Sequence, residues 1–230
     1  MIDGNPLVEA VQRILSLDRE VISAMYVSLI TSVGALCIAS FFSLPLSLYL
    51  ALHCTVSKVQ TVIRSLLDVM LAIPTVLLGL LGYILFSQQG IFASLSLLYT
   101  VTGMSIILSI LAFPLLSSLL ISSMEGEEEY TVSTALTLGA SSRQALCTFL
   151  WEKRTYIVTA YIATFTRLIS EIGIAMMVGG NIKNHTRTIT TAIALETGKG
   201  NFSLGIALGI VLLFLSGILT LSIRLLQRQR

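Results

Sequence analysis

The stretch EGEEEYTVSTALTLGASSRQALCTFLWEKR, residues 125–154, decides how the rest of the chain is read. It is a long polar interval flanked by apolar runs. Its middle predicts a small helical hairpin. Residues 131–138 form one helix, Gly139 breaks it, and Ser141 opens the next. Ser141-Ser142-Arg143-Gln144 fits a capping box, with Ser141 as N-cap and Gln144 at the third helical position. Glu125, Glu127, Glu128 and Glu129 suit a helix start, where negative charge meets the positive end of the helix dipole. The alternative is that they meet basic groups on a partner. A hairpin folded from such an interval implies a contact surface. The other reading is a solvated connection with an ordinary glycine turn.

Working outward, composition sets the class. Hydrophobic residues make up 55% of the chain and charged residues 11%, with a mean hydropathy of +0.90. A soluble domain carries roughly 25% charged residues. The expectation is an all-α, polytopic membrane protein in contact with lipid. A net charge of +2 makes no case for nucleic acid. Cys37, Cys54 and Cys147 lie far apart and join no His/Cys cluster, so neither a disulfide framework, a metal site nor a cofactor is expected. Asp3 and Glu9 with no basic residue before Arg13 exclude a cleavable signal peptide.

In chain order, residues 6–20 predict an amphipathic helix, capped by Asn5, with Pro6 at its first position. We expect it to lie in the plane of the membrane interface, as a unit of residues 1–20. Residues 21–230 then form one transmembrane domain with spans at about 21–50, 66–86, 98–121, 155–178 and 203–223. A bilayer needs roughly 20 apolar residues per span. Residues 53–64 and 182–202 are expected as polar connections, 87–96 as an uncharged turn, and Gly179-Gly180-Asn181 as a helix stop. Lys58, Arg64, Arg143, Lys153, Arg154, Arg224, Arg228 and Arg230 gather on one side. Arg13, Arg19, Lys183, Arg187 and Lys199 gather on the other. Cytoplasmic loops carry the excess of Lys and Arg. The N-terminus is therefore expected outside, and the C-terminus and the Gly139 hairpin in the cytoplasm.

Inside the fourth span, Arg167 and Glu171 stand four residues apart, which puts them on one helix face. An arginine at a helix centre costs roughly 2.5–3.5 kcal/mol on insertion scales, so such groups face protein or water rather than lipid. We expect a structural ion pair that also lines a pathway. The alternative is a cation that meets a passing anion directly. Asp68 and Glu196 are taken as interface residues. His53 and His185 fall on opposite sides, which argues against a membrane enzyme.

Several of these segments resemble ABC importer permeases. Residues 133–141 resemble the cytoplasmic loop that docks on the ATPase subunit, matching at Ala135, Gly139 and Ala140. Ser133 stands where that family usually has Glu, and Trp151-Glu152 where many members have Leu-Pro. Ile73-Pro74-Thr75-Val76-Leu77-Leu78-Gly79-Leu80 resembles a segment common to oxyanion permeases. Arg167-Leu168-Ile169-Ser170-Glu171-Ile172-Gly173, then Met176 to Ile182, Thr186-Arg187 and Thr190 to Gly200, resemble the molybdate/tungstate branch, its tungstate permeases most of all. The resemblance covers about residues 65–215.

It implies the type I importer fold, a pore built from two copies of the chain, two ATP-binding subunits, an extracytoplasmic anion-binding protein, and a prokaryotic plasma membrane. It further implies ATPase docking by Ser133, Thr134, Ala135, Gly139, Ala140, Ser141 and Arg143. The pathway would involve Pro74, Gly79, Arg167, Glu171, Gly173, Gly179, Gly180, Asn181, Thr186 and Thr190. Thr and Asn side chains and free N–H groups near Gly179 to Asn181 would serve a tetrahedral dianion that must be released again. The chain has no G-x-x-x-x-G-K motif, so ATP hydrolysis falls to a partner and this subunit is not an enzyme. The other readings are a permease for sulfate or another small solute, and an ion-coupled secondary transporter using Arg167 and Glu171 as a relay. The inverted repeats that would support the relay are not seen.

Overall fold

The computed structural model describes residues 6–53, 58–124 and 128–228. Asn5, Cys54, Glu125, Glu127 and Arg230 lie outside the described residues, as do the side chains of His53, Glu128, Glu129, Ser133 and Arg228. The described chain is helical: α1 (Pro6–Leu15), α2 (Arg19–His53), α3 (Lys58–Leu71), α4 (Thr75–Phe86), α5 (Val101–Met124), α6 (Glu128–Thr137), α7 (Ser142–Ile169), α8 (Gly173–Gly179), α9 (Ile189–Gly198) and α10 (Phe202–Arg228). A short 3-10 turn, Ala93–Leu95, interrupts the link between α4 and α5. Three stretches are long and apolar enough to cross a membrane, Arg19–Leu50, Val101–Met124 and Phe202–Leu226. Two more crossings arise if α3 with α4, and α7 with α8, each count as one span.

Both of those spans are broken. α3 and α4 meet at 83°, and α7 and α8 at 59°. The first break has a local cause. Pro74 has no N–H and disfavours helical backbone in the residue before it, so α3 cannot run on into α4. Pro74 instead takes the cap position of α4, and its carbonyl accepts the N–H groups of Leu77 and Leu78. The polar connection expected at 53–64 is in large part the start of α3, and the loop expected at 182–202 contains α9.

α5 is the axis of the bundle, with 67% of its most apolar window buried against 11% for α10. Its chief neighbour is α2. Lipid tails are as apolar as leucine, so close packing and hydrogen bonds between small residues hold such helices together. That is how α2 meets α5. Gly34 lies where an added Cβ would be 2.9 Å from Ser105 Oγ. The Ser105 hydroxyl is bonded to the Thr31 carbonyl (3.2 Å), and Ser43 donates to the Phe113 carbonyl (3.2 Å). The core around this seam includes Val27, Ala35, Met104, Leu108, Leu168 and Ile174.

Two further clusters mark opposite ends of α2. At its beginning, Val21 and Ala24 pack with Ala10 of α1, Ile189 and Ala192 of α9, and Leu204 of α10. α1 therefore lies against α10 and ends at Leu15, shorter than the 20-residue unit expected from sequence. Towards the far end of α2, Leu44 and Leu48 adjoin Leu120, Met124 and Phe149, beside the α6–α7 hairpin.

α4 and α8 touch at glycines. A Cβ on Gly79 would lie 2.9 Å from the Gly173 carbonyl oxygen, and one on Gly173 3.0 Å from the Val76 backbone N. Neither neighbour is a movable side-chain tip. Gly173→Ala and Gly79→Ala should each destabilise the purified protein by about 1–3 kcal/mol, the usual cost of overpacking. Gly217→Ala, whose Cβ would meet nothing within 4 Å, serves as the control. Thermal unfolding in detergent measures all three, and equal melting points would rule out the close α4–α8 contact.

Candidate functional site

The second break is built by Glu171. α7 ends at Ile169, so Arg167 and Glu171 do not share a continuous helix as their spacing suggested. They still pair, across the break, with Arg167 Nη1 donating to Glu171 Oε2 at 2.6 Å. The other carboxylate oxygen accepts the Gly173 N–H at the start of α8, at 3.0 Å. Glu171 thus answers a helix-terminal N–H with a negative charge, a favourable placement at a helix start. Its side chain is 5% exposed, whereas that of Arg167 is 45% exposed. The pair is one-sided, with a buried carboxylate under a half-open guanidinium.

The segment after α8 folds back onto this break. Gly180 adopts φ +67° and caps α8, its N–H bonded to Met176 O at 3.1 Å. A Cβ there would strike the Tyr99 ring at 2.6 Å, and one on Gly179 would lie 2.2 Å from Met104 Sδ. The Thr186 hydroxyl donates to the Gly179 carbonyl and accepts the Ile182 N–H at 3.1 Å. Asn181 Nδ2 donates to the Thr191 carbonyl at 3.2 Å, while its buried Oδ1 has no hydrogen-bond partner among the described residues. Thr190 donates to the Glu171 carbonyl at 2.8 Å. Thr188 caps α9 in a reciprocal box with Thr191.

The structure thus brings Arg167, Glu171, Gly173, Gly179, Gly180, Asn181, Thr186 and Thr190 into one cluster, with Gly79 against it through α8. Pro74 stands at the other break, two residues before Val76, whose backbone N would lie 3.0 Å from a Cβ on Gly173. Thr186 and Thr190 are buried, and their protons are engaged by backbone carbonyls. The Gly180 N–H is likewise engaged, by the Met176 carbonyl. Arg167 is the member with an open charged surface. Ile172 at the cap of α8, Met176 and Met177 on α8, and Leu77, Leu80, Leu81 and Ile84 on α4 present exposed apolar surface.

A charged bracket beyond the cluster was missed in the sequence. Glu196, taken there as an interface residue, is buried and receives Lys199 Nζ (3.2 Å) and Asn201 Nδ2 (3.1 Å), with Arg187 Nη1 at 3.5 Å. Glu20 at the start of α2 pairs with Lys183 and lies 3.8 Å from Arg187. The signal was the excess of basic residues in 183–199, with only Glu196 nearby to answer them. Burial pushes the Glu196 carboxyl up, but Asn201, Lys199 and Arg187 together outweigh it and hold the pKa below 4.5.

At the other end, the hairpin matches its expected form. Gly139 has φ +87°. The Gly139 N–H bonds to Leu136 O (3.0 Å) and the Ala140 N–H to Ala135 O (3.0 Å), the double closure of a Schellman turn. Ser141 and Gln144 form the predicted box. Thr134, Gly139, Ser141 and Arg143 are exposed, and Ala135 and Ala140 half-buried. Leu138 at the tip is 83% exposed, a residue the sequence reading did not single out.

No protein-family model matches the chain. The chain is 34% identical over 207 residues to the tungstate uptake system permease protein TupB of Peptoclostridium acidaminophilum, covering 90% of each. It is 35% identical over 199 residues to a probable anion ABC transporter permease protein of Haloferax volcanii, covering 84% of this chain and 85% of that one. An inward-facing structure of the MetNI methionine ABC transporter superposes with a TM-score of 0.67 at 15% identity, over 94% of this chain and 97% of the other. At that identity the likeness speaks for the fold, which is that of the type I importer permeases. The chain belongs to the ABC transporter permeases, in the family of the tungstate uptake permeases. It is a multi-pass membrane protein.

Two outcomes are expected. Arg167→Ala strands a buried carboxylate, whereas Glu171→Gln leaves a half-open guanidinium that water can reach. Breaking a fully buried pair costs about 3–5 kcal/mol, and the open arginine brings this down to about 1–3 kcal/mol. Arg167→Ala should therefore lower the melting temperature and the yield of folded protein more than Glu171→Gln, with the double variant between them. An unshifted melting point for Arg167→Ala would show that the pair is not structural. For Glu196, the folded pKa lies below its unfolded value of 4.5, so its stabilisation is complete above that pH and lost as pH falls through the folded value. Unfolding curves below pH 4.5 should fall more steeply for the wild type than for Glu196→Gln.

Proposed function

We propose that this chain is the membrane subunit of an ATP-driven importer of tungstate, with molybdate as the next candidate. Two copies form the pore, separate ATP-binding subunits supply the energy, and an extracytoplasmic binding protein delivers the anion. The carrying observation is the identity to a tungstate uptake permease along nearly the whole of both chains. The hairpin supports the ATPase contact. Its tip presents Leu138 and an open Gly139 around which a side chain would meet nothing within 4 Å, as suits a knob that enters a groove on another protein. One such knob per chain fits two chains on two ATPases.

The exposed apolar surface of α4 and α8 beside Arg167 supports a face shared between two copies. On this reading the path runs along the α7–α8 break. Arg167 supplies positive potential there, and Glu171 keeps that charge from capturing a dianion permanently. Thr186, Thr190 and Asn181 shape the wall behind it. Because the hairpin and the α1–α9 cluster lie at opposite ends of α2, a cytoplasmic hairpin sets the N-terminus outside and the C-terminus inside. Sulfate, another tetrahedral dianion, is the second reading.

Elemental mass spectrometry of cells expressing the whole transport operon, at trace external oxyanion, tests this. Wild-type cells should accumulate tungsten. Leu138→Asp and Gly139→Asp should abolish most of that gain while the chain still reaches the membrane. Tungsten and molybdenum contents that do not respond to the operon would end the oxyanion assignment, and a parallel sulfate uptake assay would then test the second reading. Accumulation that survives both variants would end the docking role alone. Arg167→Ala that assembles normally yet transports nothing would make Arg167 a direct anion contact.

A further inference from the structure

Beside Glu171 the bundle holds a small pocket of mixed lining, with Leu108, Leu168, Ile169, Ile174 and Ala175 as its apolar part. Ser28, Thr31 and Ser32 of α2, Glu171 in the break and Thr188 at the cap of α9 supply its polar lining, and Met104 of α5 closes one side. Every lining residue is at most 6% exposed. The pocket has room of about 10 Å³ for water centres, the scale of one water molecule.

The hydrogen-bond inventory of that pocket does not close within the protein. Thr31 Oγ1 is buried and has no hydrogen-bond partner among the described residues. Ser28 Oγ accepts the Ile189 N–H at 2.8 Å, which leaves its own proton to donate. Glu171 receives one bond on each oxygen, from Arg167 and from the Gly173 N–H. A carboxylate has about four acceptor positions, so half of them remain. Two hydroxyl protons lack an acceptor, and a carboxylate has lone pairs to spare. Leaving a buried polar group unmatched is costly in lipid-facing folds, where no bulk water can help.

We propose that one resident water molecule fills this site, accepting from Thr31 and Ser28 and donating to Glu171. It joins α2 to the α7–α8 break and to the cap of α9, three elements that meet there without another direct bond from Thr31. The hydroxyls and carboxylate in the lining could also suit a small monovalent cation. Two observations speak for water instead. The charge of Glu171 is already answered by Arg167, and a cation cannot accept the protons of Thr31 and Ser28. The inference is independent of which anion the protein carries.

Synchrotron radiolytic footprinting of the full-length protein in detergent tests it, because radicals generated from a bound water oxidise the side chains next to it. Met104 and Met124 are equally buried, each 0% exposed, but Met124 lies in an apolar cluster. Met104 should oxidise several-fold faster than Met124, with the surface-exposed Met176 and Met177 as dose references. Thr31→Val keeps the shape and removes the hydroxyl, and should bring Met104 down towards the rate of Met124. Met104 as inert as Met124 in the wild type would overturn the proposal, as would labelling that Thr31→Val leaves unchanged. Melting points should be equal in sodium chloride and choline chloride; a rise specific to sodium would replace the water by a cation.

Discussion

A helix that breaks inside a membrane must have its freed backbone groups answered by the protein, because hydrocarbon offers no partner. Most of this structure follows from that constraint. At the α3–α4 break, Pro74 reduces the demand by contributing no N–H. At the α7–α8 break the demand is met by side chains. Glu171 takes the first N–H of α8, and Thr190 takes the Glu171 carbonyl. Thr190 can do so only because Thr188 caps α9 and holds that helix against the break. The segment that reads as a polar loop is therefore the part that makes the break tolerable.

The charged bracket and the break handle charge differently. Beyond α8, three basic residues and two acidic ones form a bracket in which Glu20 and Glu196 each answer more than one cation. Such a network spends its charge on local order, and it ties α2, the post-α8 segment and α9 together. At the break, Glu171 is buried but Arg167 is not. That asymmetry keeps a positive surface open without leaving a buried charge unpaired. On the proposed function, attraction for an anion and ease of its release would follow from that one geometry, which suits conduction rather than storage.

The elements that sequence revealed are those whose cause is local. The Gly139 turn and the Ser141–Gln144 box depend on a few neighbouring residues, and both are present. The long apolar runs of α2, α5 and α10 depend on composition, and they too were plain. The site was legible as a list of residues but not as a geometry. A four-residue spacing gave the Arg167–Glu171 pair, yet α7 ends at Ile169, and the Glu171 carbonyl beyond it accepts from Thr190, nineteen positions on. Helix α9 was hidden because its mixed Thr, Ala and Glu sequence has no strong helical period, and tertiary packing against Val21, Ala24 and Leu204 decides it. The burial of Glu196 was hidden for the same reason: its partners come from both sides of it in the chain.

Helix α7 runs without interruption from the Ser141 cap at the hairpin to the break at Ile169, 28 residues in all. At 1.5 Å per residue that is a rod of about 42 Å. It packs against α5 along the way, through Phe149, Ala160 and Leu168. On the proposed function, a push at the hairpin tip would reach the Arg167 guanidinium at the other end. A stroke of about 4 Å at one end of a ~42 Å rod that turns about its middle is a rotation of about 11°. Movement that small need not unpack the core, yet it would carry the charged group at the far end by a comparable distance.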